Sequence, residues 1–299
     1  MSLPGRIVDA HHHLWDLAAA HRYPWLMERG KRRFFGDPAP IQRDYLVADF
    51  RADIGTLPVT ASVHIQVSVA PGDELRENEW LGSVAEAHGL PSAIVAFADL
   101  TRPDIEAFLD RLMEASRLRG VRQIIGRSEA EDARTGTARL LENPAFLLGL
   151  KALAARGLAF DLQLIPAQMA DAAGLLRKVP DLRVALCHGG SLSDFSPEGR
   201  TRWAQGIALL AELPGTICKV SGFGMFDPAW NAETVREPFA RLTDAFGPQR
   251  MAFGSNYPVE KLARDYNAVW HSFADLTADW PAEDRTAIFA GTAESFYRL

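Results

Sequence analysis

Apolar residues fall along this chain in short unbroken runs, separated by longer stretches with apolar residues at helical spacing. The runs are Ile7–His13, Val59–Val69, Ala93–Ala98, Gly120–Ile125, Leu158–Leu164, Arg183–His188, Thr216–Ser221 and Arg250–Ser255. Most are apolar or β-branched throughout and do not alternate, which is the pattern of strands buried on both faces. Between them, Glu77–Gly89, Pro103–Arg119, Asn143–Gly157, Gln168–Val179, Gly199–Leu213 and Val235–Phe246 read as helices. Several close on helix-stopping residues: Gly89 with Pro91, Gly157, Pro180, Pro214, and Gly247 with Pro248. Eight buried strands alternating with helices predict parallel βαβ units. With 299 residues, they predict a (β/α)8 TIM barrel, a single domain over residues 1–299. The alternative, a doubly wound open sheet, normally carries a glycine-rich turn after its first strand, and here histidines stand in that place. The stretch Ala18–Asp49 breaks the period and predicts a long loop insertion after strand one, either a wall or lid for a substrate or an ordinary packed insertion.

Charge narrows the partners. The formal net charge is −6 with both signs spread along the chain. No basic stripe is present to neutralise phosphates, so nucleic acid is not an expected partner. No apolar stretch is long enough to span a bilayer, and the N-terminus shows no signal-peptide pattern. The two cysteines, Cys187 and Cys218, read as free thiols in a reducing, cytoplasmic setting. The expected partners are a small-molecule substrate and, in a homo-oligomer, further copies of the chain.

In such a barrel the chemistry sits at the C-terminal ends of the strands, which turns the strand list into a site list. Strand one ends in His11-His12-His13. Alternation sends His11 and His13 to one side and His12 to the other, and an H-x-H pair at a strand end suits one metal or one carbonyl. "VALCHGG" puts His188 at the same rim, and "FGSNYP" puts Asn256 there. His11, His13, His188 and Asn256 are therefore the candidate catalytic set. His64 and Gln66 on strand two, Arg122 after strand four, Gln163 on strand five, and Lys219 and Ser221 on strand seven are candidates for holding carboxylate or hydroxyl groups of a substrate.

Five motifs in order, "DAHHHLWD", "LCHGG", "KVSG", "FGSNYPVEKL" and "GTAESFYRL", together resemble the amidohydrolase superfamily, in its branch of TIM-barrel hydrolases that includes sugar-acid lactonases and the pyrone dicarboxylate lactonase. The resemblance implies a hydrolase that opens the cyclic ester of a small anionic or sugar-acid substrate, with His11, His13 and His188 polarising the carbonyl. It implies either one divalent metal, zinc or manganese, on His11, His13 and His188, or a metal-independent site. Asn256 departs from the family, which usually carries an aspartate there: an amide cannot act as a general base and brings no charge to a dication. The rival readings are a decarboxylase of the same family and a metabolite-binding barrel without catalysis. On the sequence alone, Asn256→Asp is expected to tighten divalent-metal binding at least about tenfold.

Overall fold

The structure is a computed structural model that describes residues 3–299, apart from the side chains at 129, 134, 135 and 138. Its strands are β1 (Ile7–His12), β2 (Val59–Ile65), β3 (Ala93–Ala96), β4 (Leu118–Val121), β5 (Ala159–Leu162), β6 (Val184–Leu186), β7 (Thr216–Val220) and β8 (Met251–Phe253). They form one sheet in sequence order, each pair of neighbours parallel. The seam between β8 and β1 closes just beyond the strand end. There the His13 N–H donates to the Tyr257 carbonyl and the Asn256 N–H to the His11 carbonyl, both at 2.7 Å. The fold is the (β/α)8 barrel that the pattern predicts.

Helices Glu74–His88, Ile105–Leu112, Pro144–Ala155, Met169–Leu176, Pro197–Ala211 and Arg236–Phe246 lie on the predicted segments. The second of these is shorter than expected, because Leu118 already begins β4. Six further α-helices among the described residues lie outside the predicted set, the longest being Val47–Ile54 and Tyr266–Leu276. Both of these lie outside the stretches that carry the clear strand–helix alternation. The strands also stop sooner than their apolar runs. β2 ends at Ile65 although apolar residues continue to Val69, β6 ends two residues before His188, and β8 ends three before Asn256.

The core has two layers. Large side chains fill the space between the strands and the outer helices, with Trp15, Trp203, Trp230 and Trp270 among those fully buried. Inside the barrel sit smaller ones: Val8, Ala10, Val63, Ala93, Val95, Ala159, Ala185 and Ala252, closed off by Ala290, Ala293, Phe296 and Tyr297 from the last turns of the chain. Above that plug, Lys219 pairs with Asp161, whose oxygens also accept from the Tyr297 hydroxyl at 3.0 Å. The inserted segment after β1 is packed, with Tyr23, Leu26, Ile41 and Tyr45 buried and the Trp15 indole donating to the Arg43 carbonyl at 2.6 Å. No helix among the described residues is long and apolar enough to cross a membrane.

Candidate active site

The histidine run is set by a bulge in β1. Asp9 pairs with Ser62 and His12 with His64, so β1 advances three residues while β2 advances two. An extra residue of this kind resets which side chains face inward. Val8 and Ala10 point into the barrel, and strict alternation would send His12 after them. Instead His12 turns outward and stacks on Phe50, ring centroids 4.1 Å apart and planes 4° from parallel. His11 and His13 face the barrel mouth, with centroids 5.2 Å apart, and His11 lies 4.6 Å from the His188 ring. The outward placement of His12 thus agrees with the expectation, and the bulge is what permits it.

His188 and Asn256 both leave their strands in left-handed backbone, φ +54° and +57°, a conformation that asparagine tolerates better than most residues. The His188 ring lies against Gly222 (φ +69°), where a Cβ would come within 2.6 Å of Nδ1, so only glycine fits. His188 Nδ1 is hydrogen-bonded to Ser221 Oγ at 3.0 Å. His13 Nδ1 lies 2.7 Å from the Ile65 carbonyl. A carbonyl only accepts, so Nδ1 carries the proton and Nε2 keeps its lone pair. That lone pair faces Asn256 Oδ1 at 3.4 Å.

These groups border a cavity of about 160 Å³. His13, His188, Asn256, Arg122 and Gln163 line it together with Trp25, Arg33, Phe34 and Phe35 of the insertion and with Arg127 and Glu131. The insertion is therefore both packed and a wall of the site. His11 lies beneath, sealed from solvent, with neither ring nitrogen bonded. Burial pushes His11, His13 and His188 well below the usual imidazole range; Lys219 adds to this for His11, and Arg122 for His13 and His188. All three are neutral at physiological pH.

Arg122 is buried, 4% exposed. Its guanidinium donates to Gln163 Oε1 at 2.9 Å and to the Gln66 carbonyl, and its Nε has no partner. Among the described residues no carboxylate forms an ion pair with it. Gln163 thus holds Arg122 as well as lining the cavity. Four expected substrate contacts are corrected. His64 lies on the outer face of β2, bonded to the Leu14 carbonyl at 3.2 Å, because its register partner is the outward His12. Gln66 turns its side chain to the Ser68 N–H at 2.5 Å and contributes only its carbonyl, to Arg122. Lys219 is locked to Asp161 in the barrel interior. Ser221 reaches the site only by holding His188.

A divalent metal does not suit these residues. Among those described, no three His, Cys, Asp or Glu side chains converge as a metal-binding group. Asn256 adds no charge, and the buried guanidinium of Arg122 faces His13 and His188, a donor set poorly matched to a dication.

The amidohydrolase family model matches residues 8–299. The chain belongs to the amidohydrolase family, and is a hydrolase. It is 37% identical to the uncharacterized protein y4mH of Sinorhizobium fredii, over 98% of both chains. It is 27% identical to the L-fucono-1,5-lactonase of Burkholderia ambifaria, over 98% of this chain and 95% of that one. Two crystal structures of an amidohydrolase from Burkholderia multivorans, one with bound HEPES and one with bound zinc, superpose over the whole of both chains with TM-scores of 0.83 and 0.82 at 26% identity.

Sequence reading missed Trp25, Arg33, Phe34, Phe35 and Arg127 as individual lining residues; no strand end marks them. It also missed Glu260, whose one available signal was its place in "FGSNYPVEKL", four residues after Asn256.

Proposed function

We propose that this amidohydrolase opens the cyclic ester of a small lactone that carries a carboxylate, and does so without a metal. The observation that carries the reading is the cavity floor, where two acceptors, His13 Nε2 and Asn256 Oδ1, stand 3.4 Å apart near a buried guanidinium that lacks a carboxylate. Two acceptors side by side suit a donor of two protons. A water seated there gives one hydrogen to each and turns a lone pair toward the substrate. His13 then takes a proton as the water oxygen bonds to the carbonyl carbon, and returns it to the ring oxygen as the ester C–O bond breaks. Asn256 needs no basicity for this; it orients the nucleophile. When Ser221 donates to His188 Nδ1, the proton of that ring sits on Nε2 and polarises the substrate carbonyl. Arg122 receives the carboxylate, since a buried guanidinium that forms no ion pair with a carboxylate among the described residues is stabilised by an anion. The lactonase relative supports the reaction class. The zinc in another relative is not carried over, for want of the donor set.

Acid release at constant pH, on a neutral aldonolactone and a carboxyl-bearing lactone, tests the proposal. The expected result is turnover of the carboxyl-bearing compound, unchanged after chelation. Arg122→Met is expected to raise its KM about tenfold to a hundredfold, the worth of a hydrogen-bonded charge, while any turnover of the neutral lactone shifts less. Loss of turnover on chelation, or equal shifts for both lactones, overturns the reading.

A further inference from the structure

Glu260 is a buried carboxylate that no step above uses. It lies in the turn Val259–Leu262, and its N–H donates to the Asn256 carbonyl at 3.0 Å. Two donors reach it from outside that turn, the Gly224 N–H at 2.8 Å and the Trp230 indole N–H at 2.6 Å, and both fall on the same oxygen, Oε1. Oε2 is sealed from solvent without a partner of full hydrogen-bond geometry, and so is Asn256 Nδ2. Burial raises the Glu260 carboxyl to about 7 and the Asn256 side chain opposes that rise, which sets the two groups beside each other. There is no slack behind Glu260: a Cβ on Gly224 would come within 2.6 Å of Oε1.

We infer that Glu260 is a positioning residue, which takes the Asn256 NH2 on Oε2 and thereby aims Oδ1 at His13 and the cavity. This rests on the reading that Asn256 Oδ1 and His13 Nε2 together hold the attacking water. A side-chain amide has nearly the same shape either way round, and only its partners select O or N for a given side. Once ionised, above about pH 7, to which burial raises its carboxyl, Glu260 can only accept, so it selects the NH2 and leaves the oxygen for the site. The bond also polarises the amide, which makes Oδ1 a better acceptor. The negative charge that the family usually carries at position 256 here stands one side chain further back. An aspartate at that position would then lie against Glu260, and two carboxylates in contact compete for one proton. This revises the expectation for Asn256→Asp from the sequence: the new carboxylate is not free to attract a cation.

The test is a cycle of three variants: Glu260→Gln, Asn256→Asp and the double substitution. Glutamine has one acceptor oxygen, which the Gly224 and Trp230 donors claim. Its NH2 then faces Asn256, which turns round and presents Nδ2 to His13. Glu260→Gln is expected to lower kcat on the carboxyl-bearing lactone about tenfold to a hundredfold, the usual loss when a group that orients a site residue is removed, with KM nearly unchanged. Asn256→Asp alone is expected to lose activity too. The double variant is expected to regain at least about tenfold over Glu260→Gln, because the introduced carboxylate accepts from the glutamine NH2 with one oxygen and faces His13 with the other. A second readout needs no turnover. In protein labelled with ¹⁵N-histidine, the His13 Nε2 resonance should shift in Glu260→Gln as it gains a donor, and return in the double variant. Should the protein prove not to be a lactonase, that resonance still decides the orientation. If Glu260→Gln does not fold, rescue of Asn256→Asp by the second substitution decides instead. An unmoved His13 resonance in Glu260→Gln, or losses that simply multiply in the double variant, overturns the inference.

Discussion

His13→Gln is expected to lower kcat by about two to four orders of magnitude, the range for removing a positioned general base, while His12→Gln leaves kcat within about twofold of the parent. The two neighbours differ because of the bulge between Asp9 and His12. His13 has its proton fixed on the Ile65 carbonyl and its lone pair in the cavity. Glutamine matches its polarity but cannot take up a proton, so the water keeps its position and loses its base, and KM should move little. His12 stacks on Phe50 and meets His64 edge-on, centroids 5.8 Å apart. Glutamine there costs packing, on the order of 1–3 kcal/mol for a buried ring, and shows as a lower melting temperature rather than a slower enzyme. Kinetics on the carboxyl-bearing lactone together with thermal melts of both variants check this. Comparable kcat losses from both substitutions would mean that His12, too, acts on the reaction.

Strand order and the rim were legible from the chain because buried parallel strands are written as continuous apolar runs, and because a barrel puts its chemistry at one end of them. His11, His13, His188 and Asn256 could therefore be brought together from the chain alone. The bulge could not, since nothing in "DAHHH" marks one residue as extra; strict alternation happens to give the right partners for His12 while the parity of the rest of the strand is different. His64 was misplaced for the same reason. It shares a face with His12, and which face that is depends on register across two strands 50 residues apart in sequence. Arg122 was legible as a cation near the mouth, but its lack of a carboxylate is a property of everything packed around it. Glu260 was passed over because nothing in "FGSNYPVEKL" marks it apart from its neighbours, and only the folded chain sets it beside Gly224 and Trp230.

As the pH falls from about 6.5 to 5, the protein is expected to lose about 3 kcal/mol of stability. Burial holds His11, His12, His13 and His188 well below the usual imidazole range and brings His64 down to about 3. The unfolded chain protonates all five near pH 6.5. Above that pH both states are neutral and the stability is fully present; below it the unfolded state binds more protons, so stability falls with pH. Three buried carboxylates act the other way. Burial raises Asp9 to about 6 and Glu77 and Glu260 to about 7. Between about pH 4 and those values the folded state keeps protons that the unfolded chain has released, which favours folding as the pH drops. Near pH 5 the unfolded chain has taken up five protons on histidines and given up three from carboxylates. The net uptake is about two, each worth about 1.4 kcal/mol per pH unit. Because the histidines of the unfolded chain are only half protonated at about pH 6.5, the slope builds up toward pH 5 and the loss between the two is about 3 kcal/mol, a large part of the 5–15 kcal/mol of a typical domain. Urea midpoints at pH 7.5, 6 and 5 measure the slope. His12→Phe isolates one contribution, since a phenyl ring can keep the stack on Phe50 and does not titrate, and its slope should be shallower by about 1.4 kcal/mol per pH unit. A midpoint that holds steady down to pH 5, or a slope unchanged by His12→Phe, would show that these imidazoles accept protons in the folded barrel, and His13 would then not be the neutral base that the site requires.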